Sequence, residues 1–299
     1  MKFMVECPVH SEHDGGAWID PDNILRFART VEEAGLHGIA LTEHPAPSKK
    51  WLSSGGHETH DPFVGLAYMA AVTERVNLFT WLAVVPYRNP LLTAKTMTTL
   101  DIVSKGRAVF VLGTGYLRSV FGALGVDFTE RNELFDEAIE VLQGIWSTDE
   151  FSYEGRHFTA RGQIVKPAPV STPHPPLWIG GNATIVRNRV ASWAQGWSPL
   201  MGPAVLSTTT RTPPVSNNDE LLAMMADLAG RLEANGRSLA DIDVMSASYQ
   251  ISPEHWIDEI GQLGEAGVTW TVLPLDIRSV EGALDQVRRF GEEVVAKHR

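Results

Sequence analysis

Two short stretches place acid–base groups and backbone donors where a reaction needs them. In "LTEHP" (Leu41 to Pro45), Glu43 and His44 stand side by side at the end of an apolar run. An imidazole there can hydrogen-bond a ligand or move a proton near neutral pH. The alternative is a hydrogen-bonded structural histidine. In "WIGGNATIVRNRVA" (Trp178 to Ala191), a turn at Gly180-Gly181 leads into a helical pattern. Asn182 is expected to cap that helix. The amides of Ala183 and Thr184, the Thr184 hydroxyl and the charge of Arg187 would then surround an anion. The alternative is an ordinary capped turn. A third stretch, "RAVFVLGTGYLRS" (Arg107 to Ser119), is an apolar run broken at Gly113-Thr114-Gly115. A dinucleotide fingerprint asks for a third glycine where this chain has Arg118. The stretch therefore reads as a strand end, its glycines admitting a flat ligand or its tail close to the backbone.

Other chemistries lack their residues. No G-x-S-x-G elbow occurs, and the single cysteine, Cys7, sits within a strand, so neither a covalent hydrolase nor an internal disulfide is expected. His10, His13, His57 and His60 gather on N-terminal loops without H-E-x-x-H spacing, and no metal centre is expected. A metal-dependent barrel hydrolase using His10, His44 and carboxylates is the rival reading. Glu130-Arg131 and Asp136-Glu137 read as solvated helix faces whose ion pairs are worth little. The net charge of -11 disfavours nonspecific nucleic-acid binding. No apolar run approaches a membrane span, and the first residues lack the apolar core of a signal peptide. A cytoplasmic protein with neither nucleic-acid nor membrane partners is expected.

Positioning these residues requires a regular scaffold, and the chain alternates strand and helix patterns along its length. Strands are expected at "KFMVEC", "GIALTEH", "VNLFTWLAVV", "RAVFVLG", "PLWIGG", "GWSPL", "DIDVMSAS" and "VTWTVLP". Helices are expected near 21–35, 62–72, 92–103, 132–146, 184–194, 219–235 and 253–266, with a last one from Val280. Eight βα units in 299 residues fit a closed (β/α)₈ TIM barrel better than an open sheet. The whole chain, 1–299, is expected to be one barrel domain. The proline- and glycine-rich stretch 147–176 would be a segment inserted between strands four and five. In such a barrel, functional side chains collect at the C-terminal strand ends. Those ends here are Glu6 and His10, Glu43 and His44, Thr80 to Pro86, Gly113 to Tyr116, Gly180 to Thr184, and Trp197.

These motifs together resemble the bacterial-luciferase-like monooxygenase family, in its deazaflavin-linked branch. The resemblance rests on "GIALTEHP", on Pro86 to Arg131 including "VLGTGYLRS", on "PHPPLWIGGNA" and on "AQGWSPL". It implies the same barrel and a noncovalently held reduced cofactor, the deazaflavin coenzyme F420 or, alternatively, FMN. It places the cofactor phosphate at Gly181, Asn182 and Thr184, with Gly180 also binding the cofactor. The ring system would lie near His44, Thr80, Trp81, Gly113, Thr114 and Gly115, with a non-proline cis peptide near Thr80–Trp81. His44 would donate or shuttle the proton, supported by Glu43 and Tyr116. Arg118, Arg187 and Arg189 would meet an anionic tail, and Trp81, Val85, Tyr116 and Trp197 would enclose a small hydrophobic substrate.

The implied reaction is hydride transfer with that substrate. An oxygen-using FMN monooxygenase and a noncatalytic flavin carrier are the other readings. Two departures stand out. Sugar-phosphate dehydrogenases of this family carry glutamate where the chain has Tyr116, and a tryptophan where it has Pro45-Ala46-Pro47-Ser48. Both speak against that substrate class. The apolar helical face "FVGLAYMAAV", with the family's habit, suggests a homodimer.

Overall fold

The computed structural model describes residues 1–9, 14–247 and 256–297. Three of its helices open with the same local device, a polar cap followed by proline. Asp20 accepts from the Asp22 amide at 2.8 Å and opens α1 (Pro21–Glu33). After the single turn α2 (Lys49–Leu52), Asp61 accepts from the amides of Phe63 and Val64 and opens α3 (Pro62–Ala70). Asn89 accepts from the Leu91 amide and opens α4 (Pro90–Val103). Proline lacks a donor that the first turn would leave unbonded, and the cap satisfies one or two of the donors that remain.

All eight expected strands form. They are β1 (Lys2–Glu6), β2 (Gly38–Leu41), β3 (Asn77–Val84), β4 (Ala108–Gly113), β7 (Leu177–Gly180), β8 (Gly196–Ser198), β9 (Asp243–Ser246) and β10 (Trp270–Leu273). They pair in parallel and close a barrel in that order, β10 returning to β1. Around it run α1, α3, α4, α6 (Arg131–Ser147), α7 (Thr184–Ser192), α9 (Asn218–Ala234), α10 (Trp256–Glu265) and α11 (Val280–Glu293). The chain is thus a (β/α)₈ barrel. Of the helix expected over 253–266, the first residues lie outside the described ones. Among the described residues no helix is long and apolar enough to cross a membrane.

Between α6 and β7 the chain leaves the barrel and forms an antiparallel hairpin, β5 (Phe151–Glu154) with β6 (Thr159–Gln163). The sequence, broken by glycine and proline, concealed this pairing. Glu137 on α6, expected to be simply solvated, accepts from the amides of His157 and Phe158 at 3.0 and 2.8 Å and ties the hairpin turn to the barrel.

Beneath the rim the barrel is filled with rings. Phe79 meets Trp178 and Trp270 edge-on, at centroid distances of 5.4 and 4.9 Å. Such packing leaves no room for a ligand along the axis and confines binding to the C-terminal rim. Two short helices not anticipated from the sequence cross that rim, α5 (Arg118–Ala123) after β4 and α8 (Ala204–Thr210) after β8.

Candidate active site

The ends of β2, β3, β4, β7 and β8 enclose a cavity of about 350 Å³. Leu82, from β3, lines it between the two glycine turns. A Cβ added at Gly113 would stand 2.6 Å from Leu82 Cδ1, and one at Gly180 would stand 2.5 Å from Leu82 Cδ2. These glycines make room for a leucine side chain, which replaces the bare backbone expected to receive a flat ligand. Gly181 is required for a separate reason, its φ of 112°. The non-proline cis bond lies one bond beyond the expected position, between Trp81 and Leu82.

His44 borders the cavity beside an aromatic group the sequence did not foretell. The turn α2 brings the Trp51 ring to 4.6 Å from the imidazole, and His57 lies at 4.9 Å and Tyr116 at 6.2 Å. A tryptophan therefore does stand against His44, supplied seven residues on rather than within Pro45 to Ser48. Burial, and then the neighbouring His57, lowers the His44 pKa to about 4. At neutral pH the ring is uncharged, so it offers one N–H and one lone pair rather than a cation. Burial pushes the Tyr116 phenol up to about 12, which keeps it a hydrogen-bond donor.

Glu43 does not fit the supporting catalytic role expected of it. Its Oε2 accepts from the Val84 amide at 2.7 Å and its Oε1 from Arg88 at 2.9 Å. Arg88 also reaches Asp61 at 2.6 Å. The carboxylate is a buried clamp joining the ends of β2 and β3 to the start of α3. The acid that faces open space is Glu6. Its side chain reaches both this cavity and an adjoining one of about 870 Å³. Burial raises its pKa to about 7, and it has no hydrogen-bond or ion-pair partner among the described residues. His10, the neighbour expected at the same strand end, lies outside them. No three metal-ligating groups converge among the described residues.

The remaining expected site residues divide in two. Trp81, Gly113, Thr114, Gly115, Gly180 and Gly181 line the cavity. The Trp81 indole is oriented by donating to Ser198 Oγ at 2.8 Å. Thr80 is fully buried, and its hydroxyl is spent on the Val111 carbonyl across β3 and β4. Asn182 is also fully buried and does not cap α7. Its amide donates to the carbonyls of Leu200 and Pro213, and its oxygen accepts from the Leu200 amide, so it pins both ends of the α8 segment. Thr184 is exposed and lies outside the cavity lining. Trp197 donates to the Gly181 carbonyl from the outer core, and Val85 packs there as well, so neither encloses a substrate.

The capping position of α7 is taken by Ala183, which has no side chain to offer. The helix therefore presents its first amides uncapped to a cavity lined by Ala183, Ile185 and Val186. Of the expected arginines, Arg187 pairs with Asp227 at 2.6 Å and Arg189 with Asp136 at 2.6 Å, both buried, and neither has charge to spare. Arg189 still borders the cavity with its charge matched, and Arg131 and Arg211 line it as well. No sequence spacing pointed to them, because they come from separate elements.

The barrel's rim thus joins an apolar cavity to an uncapped helix start and to Arg131 and Arg211, which have no carboxylate partner among the described residues. The chain belongs to the luciferase-like monooxygenase family, whose sequence profile matches residues 1–255. It is 27% identical to an F420-dependent glucose-6-phosphate dehydrogenase of Microbacterium testaceum, over 79% of this chain and 66% of that protein. It is 26% identical to an FMNH2-dependent dimethylsulfone monooxygenase of Pseudomonas putida, over 74% of this chain and 56% of that protein. The matched stretches thus span less than two thirds of either relative's own length. In fold it resembles the coenzyme F420-dependent tetrahydromethanopterin reductase of Methanopyrus kandleri, with a TM-score of 0.75 at 17% identity, over 100% of this chain and 99% of that one.

Proposed function

We propose that the protein is an oxidoreductase that holds coenzyme F420 noncovalently in the rim cavity and transfers hydride with a small hydrophobic substrate. The observation that carries this reading is the cavity itself. Apolar walls from Leu82, Val84 and Trp81 meet the uncapped start of α7, with Arg131 and Arg211 beside it. A flat ring suits the first part and an anionic arm the second. The F420-dependent relative supports this reading, and the FMNH2-dependent relative stands for the oxygen-using alternative.

The bound deazaflavin would supply the hydride. The chain's own groups orient and protonate. Trp81, fixed by Ser198, and Leu82 would set the plane of the ring. Neutral His44 and the Tyr116 hydroxyl would donate hydrogen bonds as charge develops. Glu6, half protonated near neutral pH, would exchange a proton with a substrate in the adjoining chamber. That chamber would receive the substrate, since it meets the first cavity at Glu6, Thr42, His57 and Trp81.

Spectral titration with F420 and with FMN, followed by anaerobic turnover of the reduced cofactor, tests the reading. Hydride transfer predicts F420 binding and turnover without oxygen. Binding of FMN alone, with oxygen uptake on turnover, would replace it by the monooxygenase that the Pseudomonas putida relative represents. Cofactor binding without turnover under either condition would favour a carrier. We also propose a homodimer through α3 and α4, where Val64 and Leu92 are 70% and 68% exposed beside Tyr68. Sedimentation at a mass near 32.8 kDa at micromolar concentration would rule it out. The lone cysteine, buried and unpaired, suits a reducing cytoplasm.

A further inference from the structure

Three guanidinium groups converge on one ring at the cavity rim. Arg131 stands 4.1 Å from the Phe128 ring centroid, Arg118 4.5 Å and Arg211 5.7 Å. They arrive from the start of α6, the start of α5 and the end of α8. Among the described residues none of the three has a carboxylate partner, although the chain carries 36 acidic residues. Elsewhere the fold pairs its arginines readily, as Arg187 and Arg189 show. Here three like charges sit together, and burial and the charges of Arg211 and Arg118 both lower the Arg131 pKa. Stacking on Phe128 holds the groups in place without neutralising them.

The surroundings direct this charge toward the cavity. Phe128, Arg131 and Arg211 all line it, as do Ile185 and Val186 of the uncapped α7 turn. Arg211 occupies a left-handed conformation at φ 59°, the C-terminal stop of α8. The Asn182 bonds to Leu200 and Pro213 fix the segment that carries it. Arg118 and Arg211 are exposed, so an arm leaving the cavity would pass between them on its way to solvent.

We propose that Arg118, Arg131 and Arg211 form a site for a multiply charged anionic arm and so select the long, carboxylate-bearing tail of the deazaflavin over FMN. This rests on the cofactor reading above. One phosphate is enough to engage the α7 turn. A chain of carboxylates beyond it would exploit three further cations, and FMN has nothing to place there.

The test compares wild type with Arg118→Gln, Arg211→Asn and the double variant. Asparagine tolerates the left-handed backbone at 211, and melting curves confirm that each variant folds. Titrations use F420, its chromophore lacking the phosphate and tail, FMN and inorganic pyrophosphate. In the double variant F420 should bind about 10- to 100-fold more weakly. FMN and the tail-less chromophore should change less than about threefold by the same reasoning. Wild-type F420 affinity should also fall with salt more steeply than that of the variant. F420 binding that the double variant leaves unchanged would overturn the inference while leaving the cofactor reading intact. Equal weakening of F420 and FMN would also overturn it, assigning the arginines to the shared phosphate. If wild type binds neither cofactor, the proposed function itself fails. Pyrophosphate binding by wild type but not by the double variant would then show the anion site alone, and its absence would remove that as well.

Discussion

Replacing Glu6 with glutamine should stabilise the protein above neutral pH and leave it unchanged in mild acid. The carboxyl lies at the C-terminal end of β1, where both cavities meet, with no partner among the described residues to offset its burial. Its pKa in the folded chain is about 7, against an ordinary 4.5. Below pH 4.5 the group is neutral in both states and costs nothing. Between pH 4.5 and 7 the folded state holds the proton more tightly, so stability declines as pH rises through this range. By pH 8 the full difference is expressed, about 3 kcal/mol at about 1.4 kcal/mol per pH unit. Water in the cavity solvates part of the carboxylate, so about 1–3 kcal/mol is the expected range. Glutamine keeps the size and removes the charge. Urea unfolding of both proteins at pH 4.5 and pH 8 measures the difference. Glu6→Gln should be more stable than wild type by that amount at pH 8 and indistinguishable from it at pH 4.5. The same pH dependence in both proteins would refute an uncompensated buried acid.

Further measurements separate positioning groups from reacting ones. Glu43→Gln should cost about 1.5–3 kcal/mol of stability through the lost charge-assisted bond to Arg88. Activity measured on the folded fraction should change little. Gly113→Ala should destabilise by about 1–3 kcal/mol through its clash with Leu82, and a Leu82→Ala background should recover part of that loss. Additive costs in that double-mutant cycle would show that the two do not meet. Thr184→Ala, at an exposed position, should leave the affinity for a phosphorylated flavin within about twofold, well short of the cost of a lost charged hydrogen bond. A larger loss in calorimetry would return Thr184 to the site. A rate limb near pH 7 should vanish in Glu6→Gln and persist, at lower rate, in His44→Gln, because the imidazole stays neutral down to about pH 4.

What the chain reveals on its own is what neighbours in sequence decide. The pairs Asp20-Pro21, Asp61-Pro62 and Asn89-Pro90 mark helix starts because a cap and its proline act within one turn. The apolar runs mark the eight strands because each is buried on both faces, and their number and spacing identify the barrel. The strand ends then name the rim and most of the cavity's glycines. The roles of the polar residues on that rim were not legible, because a side chain's partner is chosen by whatever folds against it. Glu43 meets Arg88, 45 residues on, and becomes a clamp. Thr80 turns its hydroxyl to Val111 and Asn182 turns to Leu200 and Pro213. Gly113 and Gly180 look like openings for a ligand until Leu82 is seen between them. Arg118, Arg131 and Arg211 share a ring only once α5, α6 and α8 are placed. Local hydrogen bonding and apolar periodicity are written in the chain, whereas the pairing of charges and the shape of the cavity arise from distances that only the closed barrel sets.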